Sequence, residues 1–453
     1  MLRESLDSIL AQTYTNFELI AINDGSTDNS GEILEEYATR DQRIRVVHQE
    51  NQKLPRALSR GFLLAQGEFL TWTSHDNRMK LDCLQKLVAC LHRHPNWNMV
   101  YANIDIIADD GLPLLNSEWY RGYQRPKGSN HIFLPQNEGM LNTYPNNYVG
   151  AAFLYRDHVS FLLGDYSEDR FTFEDYDYWM QVNNLFNLRH ADFDDPIYEY
   201  RFHGKSLTSK DKELKITTRR NQLFAFDSFR RDFYLSPMVW MFEDLNLKGK
   251  VKDKANELEK ILRAKGQIIL PPDRYSPNDL PKLWMPCAYV YFTDRPEESI
   301  PDKKRIPSGA LRILVSITDS NLPLAVSDEW DLCIHWGSMQ PLPRLPGSYK
   351  GWLGVSDLET LAAVIDVRTR TEHIRQIEQA IIAQAPPRYK ISVIISTYRR
   401  HAELKRALIS LAQQEFPANE YQVIVVNNDP EDQEVNLLVS QVRTELYGGD
   451  ENR

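Results

Sequence analysis

The sequence predicts an α/β fold with a mostly parallel sheet and helices on both faces. Three observations predict it. Short apolar runs alternate with amphipathic stretches from Leu2 to Phe202, the pattern of successive strand and helix units. The stretch Gly67 to Asn77, GEFLTWTSHDN, reads as a buried strand, Phe69 to Thr73, that stops in Ser74, His75, Asp76 and Asn77. A segment near the start of the chain also recurs near its end.

The elements follow in order. Leu2, Leu6, Ile9 and Leu10 lie on one stripe of a helix that begins directly after Met1. Phe17 to Ile22 (FELIAI) is a buried strand. It runs into Asn23, Asp24, Gly25, Ser26, Thr27 and Asp28, a turn that offers an N-cap to a helix from Ser30 to Ala38. Ile44 to Val47 is a strand, Pro55 to Ala65 a helix, Leu81 to His92 a helix, and Met99 to Ile107 a strand. Asp109-Asp110-Gly111 signals a hairpin turn, and the Gly/Pro/Asn-rich stretch to Asn147 reads as loop. Tyr148 to Tyr155 is a strand. Phe173 to Leu185 (FEDYDYWMQVNNL) is a helix whose acidic start suits the helix dipole. Ile197 to Phe202 is a short strand leading into His203.

Beyond it the pattern predicts helix over Thr217 to Leu262 and a proline-rich extended connector over 271 to 308. Leu311 to Ile317, Leu332 to His335 and the segment 357 to 366 suggest a small α/β unit, followed by a linker at Pro386-Pro387.

Composition bounds the function. Of 453 residues, 42% are hydrophobic and 26% charged, as in an ordinary soluble globular protein. A net charge of −10 excludes a general nucleic-acid binder, since no basic excess exists to neutralise phosphates. The four cysteines, Cys83, Cys90, Cys287 and Cys333, have neither zinc nor redox spacing. Few cysteines and no signal peptide predict a cytoplasmic protein. No apolar run approaches the ~20 residues of a membrane span, so any contact at the inner face of a membrane would be peripheral.

In the repeat, LRESLDSILAQTYTNFELIAIND (2 to 24) aligns with LKRALISLAQQEFPANEYQVIVVNN (404 to 428) through one two-residue insertion. Leu6 matches Leu408, Gln12 matches Gln414, Tyr14 matches Phe416 and Asn23 matches Asn427. A strand, Ile391 to Ser396, precedes the second copy. In the first copy Met1 aligns with Glu403, so the expectation is a first unit without its first strand. The second copy stops at Arg453, before any counterpart of Asp76 or Glu174. One further expectation is that Ile391 to Ser396 fills the vacant position, in cis or by exchange between chains.

A carboxylate at the carboxyl end of a buried strand stands where open α/β sheets bind ligands. Asp76 is therefore a candidate for holding a divalent cation against a diphosphate. The same residues also make an ordinary Asp/Asn turn.

Six segments in order, LRESLDSILAQTYTNFELIAINDGSTD, the helix start from Asn51 to Gly61, GEFLTWTSHDN, YVGAAFLYRDHV, FEDYDYWMQV and YRFHGKS, carry a resemblance. Residues 1 to about 208 resemble a family 2 glycosyltransferase of the GT-A fold. Residues 389 to 430 resemble the opening of a second such domain, so the chain resembles a tandem bacterial glycosyltransferase truncated at both ends. The implied fold is a GT-A, Rossmann-like mixed sheet (the nucleotide-diphospho-sugar transferase type) with its first strand missing, then a smaller α/β unit and the start of a second GT-A domain. The implied domains are a transferase domain over 1–230, a helical segment and connector over 231–308, an α/β unit of unknown role over 309–385, and part of a second transferase domain over 388–453.

The resemblance also implies roles. Asp24 stands where the family places a carboxylate against the nucleotide base, and Asn51 and Arg60 would help hold the nucleotide. Asp76 matches the last Asp of the Asp-x-Asp metal motif. Ser74 replaces the first Asp, with its hydroxyl available to the ribose, and Asn77 replaces the Asp that usually follows. His75 occupies the variable position. Glu174-Asp175 matches the motif that supplies the catalytic base, here assigned to Asp175. Asp177 is structural or acceptor-binding. His203 matches a histidine that coordinates the metal, Mg2+ or Mn2+, or touches the diphosphate.

The implied activity is inverting transfer of a sugar from a nucleotide-diphosphate sugar, UDP-linked, to a carbohydrate or lipid-linked acceptor in cell-surface polysaccharide or glycolipid synthesis. The loop 109 to 147 would shape the acceptor pocket. The competing expectations are a non-catalytic fragment and another nucleotide-sugar enzyme such as a nucleotidyltransferase, whose Gly-rich opening loop is not visible.

Overall fold

Strand and helix alternate from the first residues. α1 (Leu2–Leu10), β1 (Leu19–Asp24), α2 (Ser30–Arg40), β2 (Ile44–Gln49), α3 (Lys53–Leu64), β3 (Phe69–Leu70), β4 (Arg78–Met79) and α4 (Cys83–Arg93) come first. β5 (Met99–Tyr101), β6 (Ile104–Ile107), β7 (His131–Ile132), β8 (Phe153–Arg156), α5 (Asp157–Leu163), α6 (Glu174–Leu185), β9 (Leu188–His190), β10 (Tyr198–Arg201), α7 (Asp211–Leu214) and α8 (Ile216–Leu235) follow. The computed structural model describes residues 1–115, 126–143, 147–204, 210–235, 237–243, 248–270, 288–295, 306, 309–317, 329–337, 352–382, 391–414, 421–429 and 432–447. The Pro386-Pro387 linker, most of the proline-rich connector and parts of the loop 109 to 147 lie outside the described residues.

The chain divides into two units, Met1–Ile374 and Arg375–Arg453. In the first, β1 and β2 pair in parallel from Leu19↔Ile44 to Asp24↔Gln49. A four-stranded sheet runs β3-β8-β5-β9, and another runs β4-β10-β6-β7. Their shared core is built from fully buried strand residues such as Val100, Tyr101, Phe153 and Tyr155, with Leu87, Leu91 and Trp179 from the helices above them. The apolar stripe of α1 divides: Leu6 packs with Leu34, Tyr37 and Ile44, while Ile9 joins the main core.

Two expectations about strands need correction. The strand read as Phe69 to Thr73 is hydrogen-bonded as a strand only over Phe69–Leu70. Thr71 continues the contact with β8 through its hydroxyl, which donates to the Phe153 carbonyl at 2.7 Å. The run Met99 to Ile107 is two strands in different sheets. Asn103 marks the crossing. Its buried amide accepts from the Leu134 backbone N–H at 2.8 Å and donates to the Asp194 carbonyl at 2.9 Å, so its polar groups are satisfied inside the core. The turn at Asp109-Asp110-Gly111 forms as expected, with Gly111 at φ +81° and Ile107 bridging Pro113.

β11 (Val239–Glu243), α9 (Lys250–Ala264), β12 (Ile268–Leu270), β13 (Ala288–Thr293), β14 (Leu311–Ser316), β15 (Leu332–Trp336), β16 (Trp352–Val355) and α10 (Leu358–Ile382) come next. They build a six-stranded, wholly parallel sheet in the order β12-β11-β13-β14-β15-β16. The expected continuous helix over Thr217 to Leu262 is interrupted by β11, and the expected connector over 271 to 308 contains β13. The physical reason is that strands buried on both faces are short apolar runs without alternation, and periodicity cannot separate them from helix or loop. This sheet shares a core with the preceding part: Phe161 and Leu162 of α5 pack with Trp240, Phe242, Leu361 and Ile365. Arg368 of α10 donates to the Leu162 carbonyl at 3.2 Å, and Phe233 stacks on His373 at 5.5 Å.

In the second unit, β17 (Ile391–Thr397), α11 (His401–Ala412), β18 (Tyr421–Asn427) and α12 (Glu434–Tyr447) follow one another. β17 and β18 pair in parallel over their whole length, Ile391↔Tyr421 to Thr397↔Asn427. That pairing rejects the expectation that Ile391 to Ser396 fills a place in the first unit's sheet. α11 and α12 cover one face through Leu404, Leu408, Val435 and Val442. No helix among the described residues is long and apolar enough to cross a membrane.

Candidate active site

The first component lies at the carboxyl end of β1. Asp24 closes that strand, and its Oδ1 accepts from Gln49 Nε2 and from the Gln52 backbone N–H, both at 2.8 Å. Asn23 braces the same turn, accepting the Ser26 N–H at 3.1 Å and meeting His48 Nδ1 at 2.9 Å. Gly25 follows at φ +73°. A Cβ there would lie 2.7 Å from the Asn51 nitrogen, so the turn and the start of α3 approach as closely as glycine permits. Asn51 is exposed and caps its own turn, accepting the Lys53 N–H at 3.2 Å. Arg60 is exposed on α3.

The second component follows β3. Thr73 Oγ1 bonds the Tyr198 hydroxyl at 2.6 Å, which ties this segment to β10. Asp76 Oδ2 lies 3.0 Å from His203 Nε2, and both side chains are nearly buried, at 13% and 11% exposed. The other Asp76 oxygen, Oδ1, is buried with no hydrogen-bond partner. A buried carboxylate oxygen left unsatisfied beside a histidine nitrogen suits a divalent cation, because leaving such an oxygen bare is costly. Oxygen and imidazole donors are also the set that Mn2+ accepts. Asn77, where the resemblance expects an acid, is buried and structural: its Oδ1 accepts the Arg201 backbone N–H at 2.9 Å. Ser74 is half-buried, and its carbonyl accepts from Ser5 Oγ at 3.1 Å. His75 is exposed.

The third component opens α6. Glu174 is 3% exposed, and its Oε2 is buried without a partner. Burial, and then the neighbouring Asp175 carboxylate, push the Glu174 carboxyl up to about 8. Asp175 is also raised by burial, against the opposing pull of its hydrogen bonds. Its Oδ1 accepts the Tyr176 N–H at 2.7 Å, and its Oδ2 accepts from Asn147 Nδ2 at 3.0 Å. Asp177 is buried and paired with Arg230 Nη1 at 2.8 Å. Trp72 meets Phe153 at 5.8 Å, and Phe153 meets Trp179 at 4.5 Å, so one buried ring links the segment before Asp76 to the helix after Asp175.

Sequence reasoning missed Arg201, Asn147 and Arg230. Each stands inside or beside a segment that was singled out, and none carries a signal separating a buried polar side chain from an exposed one. Two other groups have cation-like spacing, Cys90 with His94 and Asp192, and His401 with Asp432 and Glu434. Asp192 is already engaged by Arg93 at 2.6 Å, and burial pushes the Cys90 thiol up to about 11.

The glycosyl transferase family 2 model matches residues 1–159, which hold Asp24, Asp76 and the strands that carry them. Residues 1–159 belong to glycosyl transferase family 2. The family is one of glycosyl transferases, and the architecture over these residues is mixed α/β with both parallel and antiparallel strand pairs. An uncharacterized glycosyltransferase of Haemophilus influenzae is 27% identical over 57% of this chain and 78% of its own length. Glycosyltransferase GlyG of Streptococcus pneumoniae is 42% identical over 18% of this chain and 28% of its own length. The chain spans only 35% of an uncharacterized glycosyltransferase of Rickettsia felis, at 29% identity. Among solved structures, S. aureus TarS in complex with UDP-GlcNAc is similar over 58% of this chain and 84% of that chain, with 15% identity and a TM-score of 0.35. The family match, rather than that likeness, carries the assignment.

Proposed function

We propose that the family 2 domain transfers a sugar, with inversion, from a UDP-sugar to a hydroxyl of a carbohydrate or lipid-linked acceptor. The observation that carries the reading is the nearly buried Asp76–His203 pair with one Asp76 oxygen unsatisfied, in a chain that also has Asp24 closing β1 and the raised Glu174–Asp175 pair opening α6. Asp24, with Gln49 and the Gln52 N–H holding its Oδ1, presents its remaining oxygen to the imide of a uracil base. Asn51 borders that place, Arg60 on α3 would add a cation to the nucleotide, and Ser74 would offer a hydroxyl to the ribose.

Asp76 and His203 are the residues that would hold Mg2+ or Mn2+, and the bound ion supplies charge neutralisation for the departing diphosphate. Asp175 takes the proton of the acceptor hydroxyl. The hydroxyl oxygen attacks the anomeric carbon as the bond from that carbon to the diphosphate oxygen breaks, so configuration inverts. A carboxyl raised by burial is better matched to proton abstraction near neutral pH than an exposed one. Asn147 orients the Asp175 carboxylate by donating to its Oδ2. The setting we infer is synthesis of a cell-surface polysaccharide or glycolipid at the cytoplasmic side of a membrane, with residues 389–430 opening a second domain of the same kind.

UDP-sugar hydrolysis with Mn2+, in wild type and in Asp175→Asn, tests the reading. Turnover by wild type and a loss of about 10²–10⁴-fold in the variant are expected. Equal rates would remove Asp175 from the mechanism.

A further inference from the structure

Arg201 is a buried cation beside the Asp76–His203 pair. It is 1% exposed, and each part of its guanidinium has a separate target. Nε donates to the Asp76 carbonyl at 2.8 Å, Nη1 to the Asp109 carbonyl at 2.9 Å, and Nη2 to the Glu4 carboxylate at 2.6 Å. Its backbone N–H donates to Asn77 Oδ1 at 2.9 Å. One side chain therefore joins α1, the polar segment after β3, and the turn after β6. It also stands two residues before His203 in the chain, so it fixes the backbone of one member of the Asp76–His203 pair and is directly tethered to the other.

α1 supplies the matching surface. Ser5 Oγ donates to the Ser74 carbonyl at 3.1 Å, Ser8 Oγ accepts the Met79 N–H at 3.1 Å, and Gln12 Nε2 donates to the Lys80 carbonyl at 2.7 Å. Gln12 Oε1 accepts the Leu84 N–H at 3.0 Å. Glu4, Ser5, Ser8 and Gln12 recur at helical spacing, so they form one polar stripe beside the apolar one. The stripe runs along the backbone from Ser74 to Leu84, and Arg201 closes its upper end through Glu4. In the repeat, Ser8 and Gln12 have counterparts in Ser410 and Gln414, but Glu4 and Ser5 align with Arg406 and Ala407. The acid that anchors Arg201 is thus specific to the copy that contains Asp76.

We propose that Arg201 is a positioning residue for Asp76, held in register by Glu4, and that this pair sets the divalent-cation affinity of the site. The proposal rests on the reading of Asp76 and His203 as the cation-binding pair. A lysine keeps the charge of Arg201 but not the fork, since one ammonium cannot reach three carbonyl and carboxylate targets along fixed directions.

The experiment is a Mn2+ titration of the full chain, followed by electron paramagnetic resonance of the free ion, beside UDP binding measured without metal. Wild type, Arg201→Lys, Glu4→Gln and Asp76→Asn are compared, with thermal melting as a check on folding. Arg201→Lys should weaken Mn2+ binding at least tenfold and Glu4→Gln severalfold, while metal-free UDP binding changes less than twofold in both. Wild-type Mn2+ affinity in Arg201→Lys would overturn the proposal, as would an equal loss of metal-free UDP binding, which marks general loosening. Should Arg201→Lys fail to fold, Glu4→Gln decides, and an unchanged Mn2+ affinity there overturns it. Loss of Mn2+ binding in Asp76→Asn but not in the other two would retain the cation reading and reject the positioning role. Retention in Asp76→Asn would reject both.

Discussion

Replacing Arg230 with Met isolates the network that anchors α6, the helix that opens with Glu174 and Asp175. Arg230 is 1% exposed and pairs with two acids that are buried as deeply, Asp177 at 2% and Asp227 at 0%. It donates from Nη1 to Asp177 at 2.8 Å and from Nε to Asp227 at 2.9 Å. Its loss leaves Asp177 without its cation and Asp227 with only the 3.4 Å contact to Arg231. Breaking a buried pair in this way costs about 3–5 kcal/mol. Amides soften the loss here: Gln181 donates to Asp177 at 3.2 Å, while Asn142 and Asn184 donate to Asp227 at 2.7 and 2.9 Å. We therefore expect the low end, about 3 kcal/mol. At roughly 2–4 °C per kcal/mol for a domain of this size, that is a fall of about 6–12 °C in melting temperature. Differential scanning calorimetry at neutral pH reads it. Arg231→Met is the control, because Arg231 is 37% exposed and its 3.4 Å contact with Asp227 should be worth under about 1 kcal/mol. A fall of less than about 2 °C in Arg230→Met would refute the reasoning, since it would mean that the two acids need no cation.

Three more outcomes follow from the site. Asn147→Ala removes a hydrogen bond that favours the charged form of Asp175, so the carboxyl rises and the acid limb of the pH–rate profile moves to higher pH; a stationary limb would detach Asn147 from Asp175. Glu174 is raised in the folded state, so its contribution to stability is complete below the ordinary carboxylate range and is lost as pH climbs toward about 8. Glu174→Gln has no such loss, so its melting temperature relative to wild type should increase between about pH 5 and about pH 8, and a constant difference would contradict this. Gly25→Ala must place a side chain at positive φ and against the Asn51 backbone, at a cost of about 1–3 kcal/mol in urea unfolding together with weaker UDP binding. An Ala variant with wild-type stability would show that the approach of the two turns is not required.

Much of the first unit was legible because its strands end in polar clusters whose residue types are visible in one dimension. Asp24 and Asp76 both close apolar runs, and the structure places both at strand ends or just beyond them. The pairing of Asp76 with His203 was a different matter. These residues are 127 positions apart, and what joins them is the insertion of β10 between β4 and β6, an order no local pattern encodes. The family resemblance supplied that link. Arg201 was invisible for a plainer reason: an arginine on a strand of mixed polarity reads as exposed, and only the tertiary fold shows that each of its guanidinium nitrogens has a partner. The crossing at Asn103 and the strands β11 and β13 were lost because burial on both faces erases the alternation by which a strand is read.

The central claim is that a cation held by Asp76 and His203 joins the nucleotide to the family 2 domain. Calorimetric titration with UDP, with and without Mn2+, tests it most directly when run on wild type and on Asp76→Asn. The account predicts that Mn2+ tightens UDP binding at least tenfold in wild type, about 1.4 kcal/mol, and leaves it unchanged in the variant. Equal UDP affinity in wild type with and without Mn2+, or the same enhancement in Asp76→Asn, would contradict it.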